Sequence, residues 1–204
     1  MNVLKEFSSV SDFDKYEYTE MHSFHWETST PYRPSTFFKI GIVNGDIEVN
    51  LKCYEKSPRA VYFNRDEPIY KDSCLEFFVA PIENRAEYIN IESNSNGAFL
   101  CEFGSDKNNR RFVKEFSKSS PKVETFSGED GNGAYWGVAL TLTKQFICEV
   151  YDVSEKELSF NKIKANFYKC GDDCEKPHYI AFSPVTTLPP GFHNPECFAE
   201  FNRK

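Results

Sequence analysis

The sequence predicts an all-β fold, a sandwich or a barrel with little helix, and three observations carry that reading. Aromatic residues make up 16% of the chain, with 20 Phe, 11 Tyr and 2 Trp, whereas Leu is scarce and Met occurs only twice. Aromatic and β-branched side chains suit half-buried pleated surfaces better than the Leu-rich seams of helical bundles. Apolar and polar residues alternate with period two through many short segments separated by Gly, Asn, Asp and Pro, which is the pattern of strands and tight turns. The 204 residues suffice for one full hydrophobic core. No repeat, low-complexity tract or linker divides them, so residues 1–204 are expected to form a single domain, with 1–35 as an irregular segment packed on it.

Thr36 to Val43 reads as a strand, and Asn44-Gly45 supplies the two positive-φ residues of a tight hairpin. Ile47 to Cys53 returns with strict alternation, one face buried and the other wet. The run Cys74-Leu75-Glu76-Phe77-Phe78-Val79, bounded by Pro81, is nearly continuous in apolar residues and suits a central strand covered on both faces. Tyr88 to Ser93 alternates, and Asn94-Ser95-Asn96-Gly97 turns the chain into Ala98 to Phe103. Gly104 to Arg111 reads as a surface loop and Ser127 to Gly133 as a turn cluster. Tyr135 to Thr143 puts Trp136, Val138, Leu140 and Leu142 on one face, which assigns Trp136 to the core. Thr143 caps a short helical turn reaching Val150. Lys162 to Cys170, His178 to Ser183 and Glu196 to Phe201 complete roughly nine to twelve strands.

The net charge of −7 argues against a nucleic-acid or anionic-membrane partner, both of which need a basic patch. Seven Cys are present, an odd number, and Cys53, Cys74, Cys101, Cys148 and Cys197 sit in apolar runs where a reduced thiol behaves as a small hydrophobe. No disulfide is expected, and Cys170 and Cys174, in a polar turn, are expected to be the reactive pair. Reduced thiols and a start without a basic-then-apolar leader point to a cytoplasmic protein.

Catalytic motifs are missing: there is no Gly-rich phosphate loop, G-x-S-x-G or HExxH. The four His lie at 22, 25, 178 and 193. Cys170-x3-Cys174-x3-His178, beside Asp172 and Asp173, has some metal character, but structural zinc wants a second ligand pair, and the plainer reading is a polar turn with free thiols. Asp66, Glu67, Asp72 and Glu76 are the densest carboxylates. Two carboxylates held roughly 5–9 Å apart can hydrolyse glycosides. Asp72 and Glu76, four apart, would share a strand face if both lie within the strand; the commoner use of such residues is solvation or pairing with neighbours such as Arg65 and Lys71.

The stretch Ala60 to Arg65, continuing through Pro68-Ile69-Tyr70-Lys71-Asp72-Ser73-Cys74-Leu75-Glu76-Phe77-Phe78, resembles the family 9 type of carbohydrate-binding module, a DOMON-like domain. Tyr88 followed by Asn94-x-x-Gly97, Trp136 opening a strand, Asn166-Phe167-Tyr168-Lys169, Ala181-Phe182-Ser183-Pro184 and the closing Phe192-His193-x-Pro195-Glu196-x-Phe198-Ala199 extend the resemblance from about residue 36 to the end. It implies an antiparallel β-sandwich of immunoglobulin-like or jelly-roll type that binds sugars without chemistry and serves polysaccharide catabolism, often beside a glycoside hydrolase. Two aromatic rings would sandwich a glucose- or xylose-type unit at a glycan end.

Carried over by position, those rings fall on Tyr70 and Phe192, and the polar partner falls on Glu76. Both ring positions are Trp in well-known members, so the platform here is smaller. The family's Arg has no match between Tyr88 and Glu92, and Arg65 is expected to substitute; Asn166 and Tyr168 complete the set. The calcium of some members depends on an early Asp-Gly segment, which this chain replaces with Phe13-Asp14-Lys15-Tyr16-Glu17, so no cofactor is expected. The expected partner is a mono- or oligosaccharide. Two alternatives stay open: a glycoside-active enzyme using Asp72 and Glu76, and a protein-interaction scaffold on the same concave face.

Overall fold

The computed structural model describes residues 2–24 and 31–204; His25 lies outside them. Among the described residues, thirteen strands form one curled mixed sheet whose two halves face each other as a sandwich. They are β1 (Asn2–Phe7), β2 (Thr19–Glu20), β3 (Thr36–Val43), β4 (Asp46–Cys53), β5 (Cys74–Ala80), β6 (Tyr88–Asn94), β7 (Phe99–Gly104), β8 (Arg110–Phe112), β9 (Lys122–Asp130), β10 (Gly133–Leu142), β11 (Lys162–Cys170), β12 (Tyr179–Ala181) and β13 (Ala199–Arg203). Two short helices accompany them, α1 (Val10–Asp14) and α2 (Lys144–Tyr151). One half runs in the order β8-β7-β6-β5-β11-β13-β1 and the other β1-β3-β4-β10-β9.

The expected sandwich is present, with one change at the N-terminus. Residues 1–35 are not simply irregular, because β1 is the seam of the fold. Asn2–Leu4 pair in parallel with β13, and Lys5–Phe7 pair in parallel with β3. The sheet is therefore mixed and not purely antiparallel. Leu4, fully buried, sits where the strand passes from one half to the other. A Cβ on Gly41, the partner of Lys5, would lie 2.5 Å from the Phe7 ring, so only glycine lets β1 lie close to β3 here.

Local residues explain the other elements. Asn44 and Gly45 take φ of 52° and 88°, the doubly positive pair of the expected hairpin. Asn94 Oδ1 accepts from the backbone N–H of Asn96 and Ala98 and Gly97 takes φ 81°, closing the second hairpin. Thr143 Oγ1 accepts the N–H of Phe146 at 3.1 Å and caps α2. Ser127–Asp130 do not form a turn; they continue β9 against β10. Gly128 is there for packing, since a Cβ on it would meet the Tyr135 hydroxyl at 2.5 Å. Strand β9 is an edge, and its exposed Lys122, Glu124, Glu129 and Asp130 discourage pairing with another chain.

The core between the halves takes Leu75, Phe77 and Val79 from β5, Ile89 and Ile91 from β6, and Ile163, Ala165 and Phe167 from β11. Facing them are Phe38 and Ile40 from β3, Val49 and Leu51 from β4, and Trp136, Val138 and Leu140 from β10, while Phe146 and Tyr151 of α2 close one end. Phe167 stacks on Phe38 at 3.7 Å and on Phe77 at 5.2 Å. Every residue of β5 is buried, as expected, and so is every residue of β6. On the outward faces of both, Phe78 and Tyr88 lie under the 184–198 segment, whose Val185, Phe192 and Phe198 pack on them and on Tyr168. All seven cysteines are free thiols. Cys170 belongs to β11 and is buried, not part of a polar turn.

Phe167→Ala is expected to lower stability by about 3–5 kcal/mol, read from urea denaturation, and Phe167→Leu to lower it distinctly less. Equal losses would mean that the stack with Phe38 does not hold the halves together.

Candidate functional site

The segment leading into β5 is fixed by Asp72, which is fully buried. Its carboxylate accepts from the N–H groups of Val61 (2.9 Å) and Tyr62 (3.1 Å), from Asn94 Nδ2 (2.9 Å) and from the Arg59 guanidinium. With Ile69 buried beside it, the single helical turn Ile69–Lys71 is held so that Tyr70 stands 40% exposed. Tyr70 is at the rim of a cavity of about 510 Å³, a volume suited to a small ligand.

Period-two alternation builds the cavity floor. Glu76 of β5 lies opposite Glu92 of β6 and Tyr168 of β11. Glu92 lies opposite Leu100 of β7, and Asn90 opposite Glu102. Glu76, Glu92, Leu100, Glu102, Arg110 and Cys170 line the cavity, and Asp172, Tyr179 and Phe192 wall it. The Arg110 guanidinium binds Glu102 and donates to Asn90 Oδ1 at 3.3 Å. Asn90 Nδ2 donates to Glu92 Oε1 at 3.0 Å, while Glu92 Oε2 is buried without a hydrogen-bond partner. Cys170 Sγ donates to Glu76 Oε1 at 2.9 Å.

Burial, then the neighbouring Glu92 charge, holds the Glu76 carboxyl well above the usual range. Burial pushes Glu92 up to about 7, against the pull of Arg110. Burial, then Arg110 and Lys107, lowers His193 to about 3, so its ring is neutral near pH 7, 3.0 Å from the Tyr88 hydroxyl.

Tyr70, Phe192 and Glu76, far apart in sequence, thus meet at one cavity. Tyr168 supports the cavity wall from below, whereas Asn166 does not line the cavity. The Tyr168 ring stacks under Phe192 at 4.1 Å and its hydroxyl donates to the Phe192 carbonyl at 3.0 Å. Asn166 ties β11 to Ser183 through two hydrogen bonds. Arg65 is elsewhere: it approaches Asp66 at 3.5 Å and lies over the Phe99 ring, while Arg110 is the arginine at the cavity. Glu92, Glu102, Asp172 and Tyr179 were not anticipated. For Glu92 a signal existed, because the alternation of β6 places it on one face with Tyr88 and Asn90. Asp72 is saturated by the 59–62 segment and lies off the cavity, so it does not work as a pair with Glu76 there.

The metal readings resolve on geometry. His178 Nε2 lies 2.6 Å from Lys169 Nζ and Nδ1 2.7 Å from the Lys176 carbonyl; both ring nitrogens are committed, and burial followed by the Lys169 charge lowers the ring to about 4. Among the described residues, Cys74, Glu76 and Cys170 bring three ligand atoms within 4.8 Å of one another. The Cys170–Glu76 hydrogen bond already accounts for two of them. The N-terminal segment does not fit calcium: the Phe13 and Asp14 carbonyls are taken by the Lys39 ammonium at 3.0 and 2.9 Å.

A β-sandwich with aromatic rings and carboxylates converging on an outer-face cavity is the build of a small-ligand binding module. The sequence profile of carbohydrate-binding family 9 matches residues 5–203, and the chain belongs to that family. It is similar to the crystal structure of a putative carbohydrate-binding protein from Bacteroides uniformis, with TM-score 0.76 and 25% identity over 100% of this chain and 98% of that one. A family 9 module from Caldicellulosiruptor kristjanssonii in complex with cellotriose shares the fold at TM-score 0.61 and 14% identity, over 100% of this chain and 93% of that one. The corresponding glucose complex gives 0.54 and 14%, over 99% and 94%. No curated protein matches the chain.

The raised carboxyl of Glu92 has a measurable consequence. The unfolded chain gives up this proton near pH 4.5 and the folded chain keeps it to about 7, so the folded state holds more protons across that window and stability falls as pH rises through it. Glu92→Gln removes this loss. Its stability relative to the parent is expected to rise by roughly 1–3 kcal/mol between those limits, read from urea denaturation at a series of pH values; a constant difference would contradict the assignment.

Proposed function

We propose that the protein is a non-catalytic binder of a glucose- or xylose-type unit at a glycan end, held between Tyr70 and Phe192 and oriented by Glu76. The observation that carries this reading is the convergence of those three residues on one cavity of about 510 Å³. The axial C–H groups of a pyranose match an aromatic face. Glu76, whose carboxyl burial raises well above the usual range, accepts from sugar hydroxyls and, when it carries a proton, donates to them as well. The related modules in complex with cellotriose and glucose support a sugar of this class. The saturated hydrogen bonding of Asp72 favours binding over hydrolysis, and a role in polysaccharide catabolism follows from such a binder.

Titration calorimetry against glucose, xylose, cellobiose and xylobiose tests the reading. Tyr70→Ala is expected to weaken binding about tenfold or more, since loss of a stacked ring and its apolar contact is worth roughly 1–3 kcal/mol. Tyr70 is exposed, so the melting temperature should hardly move. Phe192→Ala should weaken binding at least as much and also lower the melting temperature, because it removes the stack on Tyr168. Absence of binding heat for all four sugars, or a Tyr70→Ala affinity equal to the parent's, would overturn the proposal.

A further inference from the structure

The cavity floor carries a charge arrangement that the fold does not use. Glu76 and Glu92 stand directly opposite each other on β5 and β6, 2% and 3% exposed. Like charges so placed repel, and among the described residues neither carboxylate forms a salt bridge. The arginine at the cavity is engaged with Glu102 and Asn90, and the other cation, Lys107, is exposed. His193 is neutral. Asp172 adds a further carboxyl on the wall, raised by burial. The cavity is thus lined by four carboxyl groups against two basic side chains, and one buried carboxylate oxygen, Glu92 Oε2, has no partner. Gln at either position would keep the shape and avoid the repulsion. A buried anion without a partner is costly unless something bound supplies the opposite charge and the missing donor.

We propose that the sugar bound here carries a free ammonium group: a hexosamine that is not N-acetylated, with its –NH3+ against Glu92 Oε2 and the facing Glu76 carboxyl. The proposal rests on the sugar-binding reading and names the substrate class of the same site. An ammonium has three donors and makes charge-assisted hydrogen bonds to carboxylates. A neutral hydroxyl supplies a donor without the charge, an N-acetyl group lacks the charge, and a uronic acid is repelled. Burial and the facing carboxyls raise both groups; an ammonium beside them lowers them again, so its binding releases a proton from the Glu76–Glu92 pair.

Calorimetry of the full chain near neutral pH, with D-glucose, D-glucosamine and N-acetyl-D-glucosamine as probes, tests this. Glucosamine is expected to bind at least tenfold more tightly than either of the others, and Glu92→Gln to bring the glucosamine-to-glucose ratio to about one. Repeating the parent titration in two buffers of different ionisation heat should show proton release with glucosamine beyond any seen with glucose; this readout needs no variant. Glucose binding as tight as glucosamine, an unchanged ratio in Glu92→Gln, or no proton release would overturn the inference while leaving the sugar reading intact. Binding that appears only when calcium is added would assign the acidic floor to a metal and overturn it. If none of the three sugars binds, the sugar-binding reading itself fails and the inference falls with it.

Discussion

The ring of Phe167, stacked 3.7 Å from Phe38 of the facing half, ties the core to the cavity. Successive side chains of a strand point to opposite faces, so with Phe167 inward, Tyr168 must point outward. There its ring supports Phe192 and its hydroxyl holds the Phe192 carbonyl. Across the register, Phe77 faces Phe167 and Glu76 faces Tyr168, and the same rule sends one to the core and the other to the cavity floor. A one-residue slip of β11 would exchange the two faces. The packing that holds the halves together therefore also sets the face on which the cavity lies.

Polar groups are buried in this fold in two ways. Lys169 points inward and is fully buried, yet its ammonium donates to Ser73 Oγ at 2.8 Å, to the Cys170 carbonyl at 2.9 Å and to His178 at 2.6 Å, with Glu55 at 3.8 Å. Glu55 in turn accepts from Ser73, from Trp136 Nε1 and from the Tyr32 hydroxyl. This network is closed, as buried ion pairs must be to avoid large desolvation costs. Asp72 is closed in the same manner. The floor formed by Glu76 and Glu92 is not closed in this way: Glu76 accepts from Cys170 and Glu92 from Asn90, but Glu92 Oε2 is buried without a partner.

Much of this was legible from the chain. The bounds of β3, its positive-φ hairpin, the two-sided burial of β5 and the Thr143 cap depend on neighbouring residues alone, and local propensity or turn chemistry determines each. Tyr70, Phe192 and Glu76 were reached through the family pattern. The exceptions share one cause. Ser127–Asp130 reads as a turn because Gly and Asp favour turns, but pairing with β10 and the Tyr135 ring over Gly128 prevailed. Residues 2–7 look irregular because their partners, Gly41–Val43 and Phe201–Arg203, are both distant in sequence from them and from each other. Arg65 was expected to substitute from a neighbouring strand, whereas the arginine that lines the cavity is Arg110, brought there by the pairing of β8 with β7.

The sequence by itself determined the β class, most strand bounds, the turns and the reduced cysteines, because these follow from composition, from period two and from motifs a few residues long; the rings at the cavity came from the resemblance to a family. Only the tertiary structure decided that β1 is a seam with two parallel partners, that Asp72 is a clamp, and that Glu92 faces Glu76 at an open floor. Those properties depend on register between distant strands, on which face a neighbour covers, and on whether a polar atom finds a partner. A linear sequence carries no such information until the sheet has closed.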